Sequence, residues 1–309
     1  MHDIQYIPEK DIRTYLVMKD IIALMEDVFQ NPHKGQMPPK IYLELENDND
    51  FRAMPAKFGD AVGIKWASIF PANEKNKFGP SVSATIMLND IETGYPIAMM
   101  DGMLITSYRT AAVTGVATKH LAKDDAKTAA FVGCGFQTAY QIEAILNVRN
   151  IRHIKLFDLD RTKCEHLAAI FGKAVIACET LEECVRGSDI LTTLTPSRKP
   201  LIKLEWLEAG MHINAIGADA EGKQEFEDNL GDVCQICVVD DKAQAFHSGE
   251  SQHTKHKERF MNLSTVVDPH FKERVSMLDS DISFFDSTGL ATEDIAVASY
   301  IYKNLTSRK

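Results

Sequence analysis

The stretch TAAFVGCGFQTAYQIEAIL, residues 128–146, reads in order as a buried strand, a glycine turn and an amphipathic helix. Ala129 to Val132 is a short apolar run of the kind buried on both faces of a parallel sheet. Gly133 and Gly135 allow a tight turn and a close approach of backbone to a pyrophosphate. The helix behind them would offer free N–H groups and its positive dipole end to that anion. A second strand, 152–157, ends at Asp158, about 20 residues on, where a carboxylate can hold the adenosine ribose hydroxyls. Thr138 stands where the third fingerprint glycine is usual, and Ala139 still lets the helix approach the sheet. The expectation is a dinucleotide site. Asp158 favours NAD over NADP, since a carboxylate repels a 2′-phosphate, although Arg161 nearby leaves NADP open.

The rest of the chain narrows the class. Its 309 residues suggest two domains, and its 45% hydrophobic and 25% charged content are those of an ordinary globular protein. A formal net charge of −10 without a Lys/Arg cluster argues against nucleic acid. No apolar run approaches a membrane span, and the N-terminus lacks the basic-then-apolar pattern of a secretory signal, so the expected location is the cytoplasm. The six cysteines read as small buried residues rather than disulfides. Cys234 and Cys237 form a lone C-x-x-C without partners for zinc, and His247, His253 and His256 read as a solvated loop, so no metal is expected.

Around the glycine turn the βα alternation continues. Strands are expected at 174–178, 189–194, 212–216, 236–239 and 282–285, with helices at 138–146, 162–171 and 181–185. That is a doubly wound parallel sheet of Rossmann type. The N-terminal third differs. A helix is expected at 20–29 with Asp20 as N-cap, then strands at 40–46, 62–68, 84–88 and 97–100 without long helices between them. An alanine-rich helix from about Thr106 to Leu121 leads into the alternation, and a last helix at 291–305 could return to the first domain. The expected fold is α/β, a Rossmann domain over 116–289 plus a smaller α+β substrate and dimerisation domain from 1–115 with 290–309.

Three residues stand out for chemistry. Asp219, in a small-residue turn after strand 212–216, is either a turn former or a carboxylate able to move protons beside a nicotinamide. Lys65 alternates with Val62, Ile64 and Trp66, so it either points to solvent or faces a cleft and activates a carbonyl or amine. Arg109, early in its helix, is either surface charge or a bidentate fork for a carboxylate or phosphate. Lys40 and Arg52 are further cations flanking the first sheet.

Together QMPPKIYLEL, FRAMPA, GIKW, SYRTAA, VGCGFQ, TLTPSRKP, HINAIGAD with GKQE, VVDD and FDSTGLATED resemble the ornithine cyclodeaminase/μ-crystallin family, specifically its archaeal-type alanine dehydrogenase branch, over essentially the whole chain. The resemblance implies that Lys65 contacts the substrate and polarises its carbonyl or imine, and that Asp219 is the general acid/base. It further implies that Arg109 touches substrate carboxylate and cofactor, and that Lys40 also holds the carboxylate. Ser81, Gly133, Gly135, Phe136, Gln137, Asp158, Thr195, Ala215, Ile216, Gly217, Ala218 and Thr288 fall where relatives line NAD. A homodimer is implied in the same way.

Relatives that cyclise ornithine carry a glutamate where this chain has Arg52. If Arg52 faces the pocket, it favours a short neutral or acidic amino-acid side chain over a diamino acid; if it faces solvent, the distinction disappears. The favoured activity is NAD-dependent oxidative deamination of a small L-amino acid to a 2-oxo acid and ammonia, and its reverse. Ornithine cyclodeamination, imine reduction and non-catalytic μ-crystallin-like ligand binding are the alternatives, the last disfavoured by the retained Asp219. Between Asp241 and Asp281 the chain departs from the family's glycine-rich pattern, which puts the outer strands of the Rossmann domain in question.

Overall fold

Alternate residues of the 128–132 run enter two different cores. Ala129 and Phe131 pack with Ile142, Ile145, Ile154 and Leu167, while Ala130 and Val132 pack with Leu191, Ile213, Val239 and Phe284. A strand buried on both faces needs apolar side chains at every position, and this run supplies them. The structure, a computed structural model, describes residues 4–172, 174–275 and 277–307. The chain divides into two compact units, Met1–Thr110 with Leu290–Lys309, and Ala111–Gly289.

The second unit is built on an eight-stranded, wholly parallel sheet. Its strands run in the order Val175–Ala177, His153–Phe157, Thr128–Val132, Ile190–Thr193, His212–Ala215, Ser283–Asp286, Ile236–Val239 and Phe260–Asn262. The order reverses between Thr128–Val132 and Ile190–Thr193, the switch point at which a doubly wound sheet opens a crevice at its carboxyl edge. Because all strands are parallel, the segments after Val132, Phe157, Thr193, Ala215 and Asp286 emerge at one edge. The departure from family pattern after Asp241 does not cost the outer strands. That segment forms the helix Lys242–Ser248 and then the edge strand Phe260–Asn262, which its polar sequence did not announce.

The first unit carries a seven-stranded sheet. Gln5–Ile7, Pro96–Asp101, Val82–Asn89, Ala61–Ile69 and Asp50–Phe58 follow one another, and Gly35–Gln36 and Ile41–Glu44 share the far edge of the last. Only the first pair is parallel. Pro55 lies mid-strand where neither edge segment pairs, so its missing N–H breaks no ladder. The helix Ala291–Thr306 covers one face, and Met18–Gln30 packs against that helix. Met18–Gln30 begins earlier than the sequence suggests. Val17 is its N-cap and Asp20 lies in the first turn, where its charge favours the helix dipole without capping it.

The apolar alternation of 61–69 is inverted relative to the usual rule. Lys65 faces the covered side, 3% exposed, while Trp66 on the other side is 45% exposed. Ile41 and Leu43, on one side of their strand, are 61% and 54% exposed.

The long helix Met103–Leu121 ends against a single buried cation. Arg149 donates to the carbonyls of Lys119, Ala122 and Lys123 at 2.7–2.9 Å. A guanidinium there satisfies terminal carbonyls and complements the negative dipole end. We expect Arg149→Ala to cost about 2–3 kcal/mol, the scale of charged hydrogen bonds left unmade, read as a lower urea midpoint.

Candidate functional site

In the first unit the covered sheet face and the last helix bring two predicted cations onto one acidic pair. Lys65 comes from the strand Ala61–Ile69, and its Nζ lies 2.6 Å from Asp294 Oδ2. Arg109, two turns into its helix, donates from Nε to Asp294 Oδ1 at 3.0 Å and from Nη1 to Glu293 Oε2 at 2.8 Å. Glu293 and Asp294 occupy the first turn of Ala291–Thr306 and are fully buried. Burial, then the neighbouring Arg109 charge, pulls the Lys65 ammonium down to about 7, while Asp294 opposes the fall. Neither Lys65 nor Arg109 is the solvated surface charge that the sequence left open.

Arg52 is also on this face, 6% exposed, so the solvent-facing alternative is removed. Its Nε donates to Asp50 Oδ1 at 2.8 Å, and its guanidinium carbon stands 5.3 Å from the Tyr42 ring centre. The Asp50 carboxylate therefore offsets part of its charge. Lys40, just before the strand Ile41–Glu44, is close enough for its charge to act on Lys65. Ser81 is not brought to this group. It precedes Val82–Asn89, five residues from the Ile86 that pairs with Lys65, or about 17 Å along the strand.

In the second unit the predicted residues gather at the carboxyl edge of the parallel sheet. Gly133 has φ +94° and faces the Leu194 carbonyl so closely that an added Cβ would stand 3.0 Å from it. Gly135 has open space in that direction. Thr138, in the place of the third glycine, donates its hydroxyl to the Gly133 carbonyl at 2.8 Å and ties the helix start to the turn. Gln137 presents a buried Oε1 that has no hydrogen-bond partner, and Phe136 is exposed. Asp158 accepts from the Cys134 N–H at 2.7 Å, so it is fixed beside the turn. An open glycine turn, an orphaned amide oxygen and a strand-end carboxylate fit a dinucleotide. Arg161 is paired with Glu165 and Glu179.

The neighbouring turns are held by acids the sequence did not single out. Glu225, fully buried, accepts from the Thr193 hydroxyl at 2.6 Å, the Thr195 N–H at 2.7 Å and the Gly217 N–H at 3.0 Å. It thus fixes Thr195 and the Ala215–Ile216–Gly217–Ala218 turn together. Asp240 accepts from the Thr288 and Gly289 N–H groups at 2.6 and 2.7 Å, which sets Thr288. Asp219 is half-exposed, and Lys223 reaches back to it. Burial pushes the Glu225 carboxyl above its ordinary range.

Sequence reasoning missed Glu293, Asp294, Glu225, Lys223 and Asp240. The signal was present as the acids and lysine inside TED, GKQE and VVDD, but each acts on a partner the motif does not contain. His253, read as part of a solvated loop, is half-buried, with Nε2 2.8 Å from the Lys223 carbonyl. Cys234 and Cys237 are buried free thiols, and among the described residues no three His, Cys, Asp or Glu could hold a metal ion. Among the described residues no helix is long and apolar enough to cross a membrane.

The model of the ornithine cyclodeaminase/mu-crystallin family matches residues 6–309. An alanine dehydrogenase of Archaeoglobus fulgidus is 38% identical over 313 residues, covering 98% of this chain and 95% of the relative. A solved archaeal alanine dehydrogenase dimer with bound NAD superposes with a TM-score of 0.90 at 36% identity, covering 99% of this chain and 97% of that one. The Delta(1)-pyrroline-2-carboxylate reductase of Thermococcus litoralis, solved with NADH and L-proline, gives 0.91 at 29% identity, covering 99% and 98%.

Proposed function

Because the chain belongs to the ornithine cyclodeaminase/mu-crystallin family, we propose that it catalyses NAD-dependent oxidative deamination of a small L-amino acid, alanine first, and the reverse reaction. The observation that carries the reading is the buried group of Lys65, Arg109 and Asp294. Two buried cations, held in place by Asp294 and Glu293, offer their remaining N–H groups to a substrate bearing a carboxylate and a reactive nitrogen or oxygen.

In this reading Arg109 and Lys40 bind the substrate carboxylate, Arg109 through the guanidinium N–H groups left over once Nε holds Asp294 and Nη1 holds Glu293. NAD, when bound, supplies the acceptor for the hydride that leaves Cα. Water then adds to the resulting imine, with Asp219 taking its proton. Lys65, with its ammonium brought down to about 7, has a neutral form that takes the hydroxyl proton of the carbinolamine, so that the carbonyl forms as the nitrogen leaves. Asp219 returns a proton to the departing nitrogen; counting the proton that the substrate ammonium gives up before hydride leaves, amino acid, NAD+ and water give 2-oxo acid, ammonium, NADH and H+. An ammonium with its pKa near neutrality exchanges a proton at low cost, which suits Lys65 to that part.

Asp158, fixed beside the glycine turn, and the likeness to relatives solved with NAD or NADH favour NAD over NADP. Arg52, on the same face as Lys65, disfavours a substrate with a distal ammonium, less strongly than a bare cation would because Asp50 is bound to it. Reduction of a cyclic imino acid is the second reading, supported by the likeness to the Delta(1)-pyrroline-2-carboxylate reductase. The test is a steady-state screen of L-amino acids with NAD and NADP, reading reduced cofactor and ammonia together, with cyclic imines and NADH as a parallel arm. Ammonia without reduced cofactor from ornithine would mean cyclodeamination. Binding without turnover across the panel would mean a ligand-binding protein.

We further propose that the uncovered face of the first unit's sheet forms a homodimer. Tyr6, Ile41, Leu43, Trp66 and Met99 are all exposed there, and Phe51 stacks on Trp66 at 5.3 Å. A sheet face this apolar is unusual on a free monomer. Trp66→Glu should convert dimer to monomer in sedimentation at micromolar concentration; a wild-type monomer, or a variant that stays dimeric, would refute this.

A further inference from the structure

The turn that carries Asp219 is clamped from outside by one short segment, Gly249–His253, and the clamp is anchored on buried carboxylates. Glu250, 4% exposed, accepts the consecutive N–H groups of Glu225 and Phe226, each at 2.9 Å, one oxygen to each. Its own N–H and that of Ser251 are accepted by the two oxygens of the buried Asp286, at 3.2 and 2.8 Å. Two residues on, the Gln252 amide accepts from the Gly222 N–H at 2.8 Å and donates to the Lys223 carbonyl at 3.2 Å. His253 takes the same Lys223 carbonyl.

Asp219 therefore sits in a loop fixed on both sides. Glu225 grips it at Gly217, and the Gly249–His253 segment grips it from Gly222 to Phe226. Lys223, the side chain that meets Asp219, projects from the most heavily restrained residue of the loop.

The arrangement is costly for stability alone. Asp286, Glu250 and Glu225 are successive buried acids, and burial raises each carboxyl from its usual range, Asp286 to about 7. Each acid carries a desolvation cost that its backbone N–H partners offset. Acids in such a place give directional, two-pronged acceptors that fix backbone to backbone, as partners outside a reacting group do.

We infer that Glu250 is a positioning residue for Asp219, acting through the Gly222–Phe226 backbone and Lys223, with Gln252 as its outer support. The inference rests on the proposed role of Asp219 in proton transfer. It differs from that role in its prediction, because both Glu250 carboxylate oxygens are taken by the backbone N–H groups of Glu225 and Phe226.

The test uses Glu250→Gln, in which an amide N–H must face one backbone donor, and Gln252→Ala, which leaves the buried acids untouched. In both, amide hydrogen exchange over residues 217–226 should speed up by about ten-fold or more while the rest of the sheet keeps its protection. Turnover should fall about ten-fold with NADH affinity, read by fluorescence, within about two-fold, and the limb of the kcat pH profile set by Asp219 should move. Unchanged exchange over 217–226 in both variants overturns the inference whatever the turnover. Faster exchange with unaltered kcat and pH profile overturns it too, since the clamp would then be structural only. A wild-type protein with no turnover on any amino or imino acid sinks the dehydrogenase reading instead, and the exchange and NADH-binding results then decide whether the clamp exists.

Discussion

Replacing Asp294 by asparagine is expected to cost about 3–5 kcal/mol of stability, the scale of a buried ion pair broken on one side. The carboxylate is fully buried and touches two cations that are almost as buried, Lys65 at 2.6 Å and Arg109 at 3.0 Å. Asparagine keeps the shape and one acceptor but removes the charge. Both cations then lose most of their compensation in a medium that screens poorly, with Glu293 left to hold Arg109 alone. Urea unfolding of the two proteins measures the difference directly.

The same substitution carries a signed effect on titration. Burial and the Arg109 charge lower the Lys65 pKa, and Asp294 raises it. With Asp294 neutral, only the lowering influences remain strong, so the Lys65 ammonium loses its proton below pH 7. Any limb of the kcat/KM profile near neutrality that belongs to Lys65 shifts to lower pH in Asp294→Asn. It vanishes in Lys65→Met. A limb that stays in place in both variants belongs to another group and removes Lys65 from the assigned role.

How far the sequence reveals this depends on distance along the chain. The strand, glycine turn, helix and Asp158 are one local pattern, and the structure keeps it with Asp158 bound to the Cys134 N–H inside the turn. Asp294 lies 185 residues from Arg109, and no spacing rule relates them. Its burial follows from the last helix lying on the first sheet, which is a tertiary fact. The strand Ala61–Ile69 fails in a different way. Alternation says that one side differs from the other, but assigns the apolar side inward only if a monomer's core is the sole place for it. Here the side with Lys65 is inward. Asp50–Phe58 escaped because Pro55 interrupts its pattern, and its tolerance depends on where two edge segments stop. Glu250 sat in a segment read as solvated because its charge was counted and its backbone partners could not be.

Replacing Asp219 by asparagine is expected to lower turnover by roughly 10²–10⁴-fold, the range for removing a general acid/base, with NADH binding retained. The separation follows from the structure. The residues that fit a dinucleotide, Gly133, Gly135, Gln137 and Asp158, lie at the ends of other strands and are tied to one another through Cys134 and Thr138. Nothing in that set is bonded to the Asp219 carboxylate, which meets Lys223 of its own loop. Asparagine can still accept from Lys223, so the loop keeps its shape, and stability should change by less than about 1 kcal/mol at this half-exposed position. What is lost is a group able to take and return a proton. Kinetics should therefore show a fall in kcat without a matching rise in KM for the cofactor, and the pH limb set by the carboxylate should disappear. Wild-type turnover in Asp219→Asn would remove it from the reaction. A matched loss of NADH affinity would instead make it a residue of the binding site.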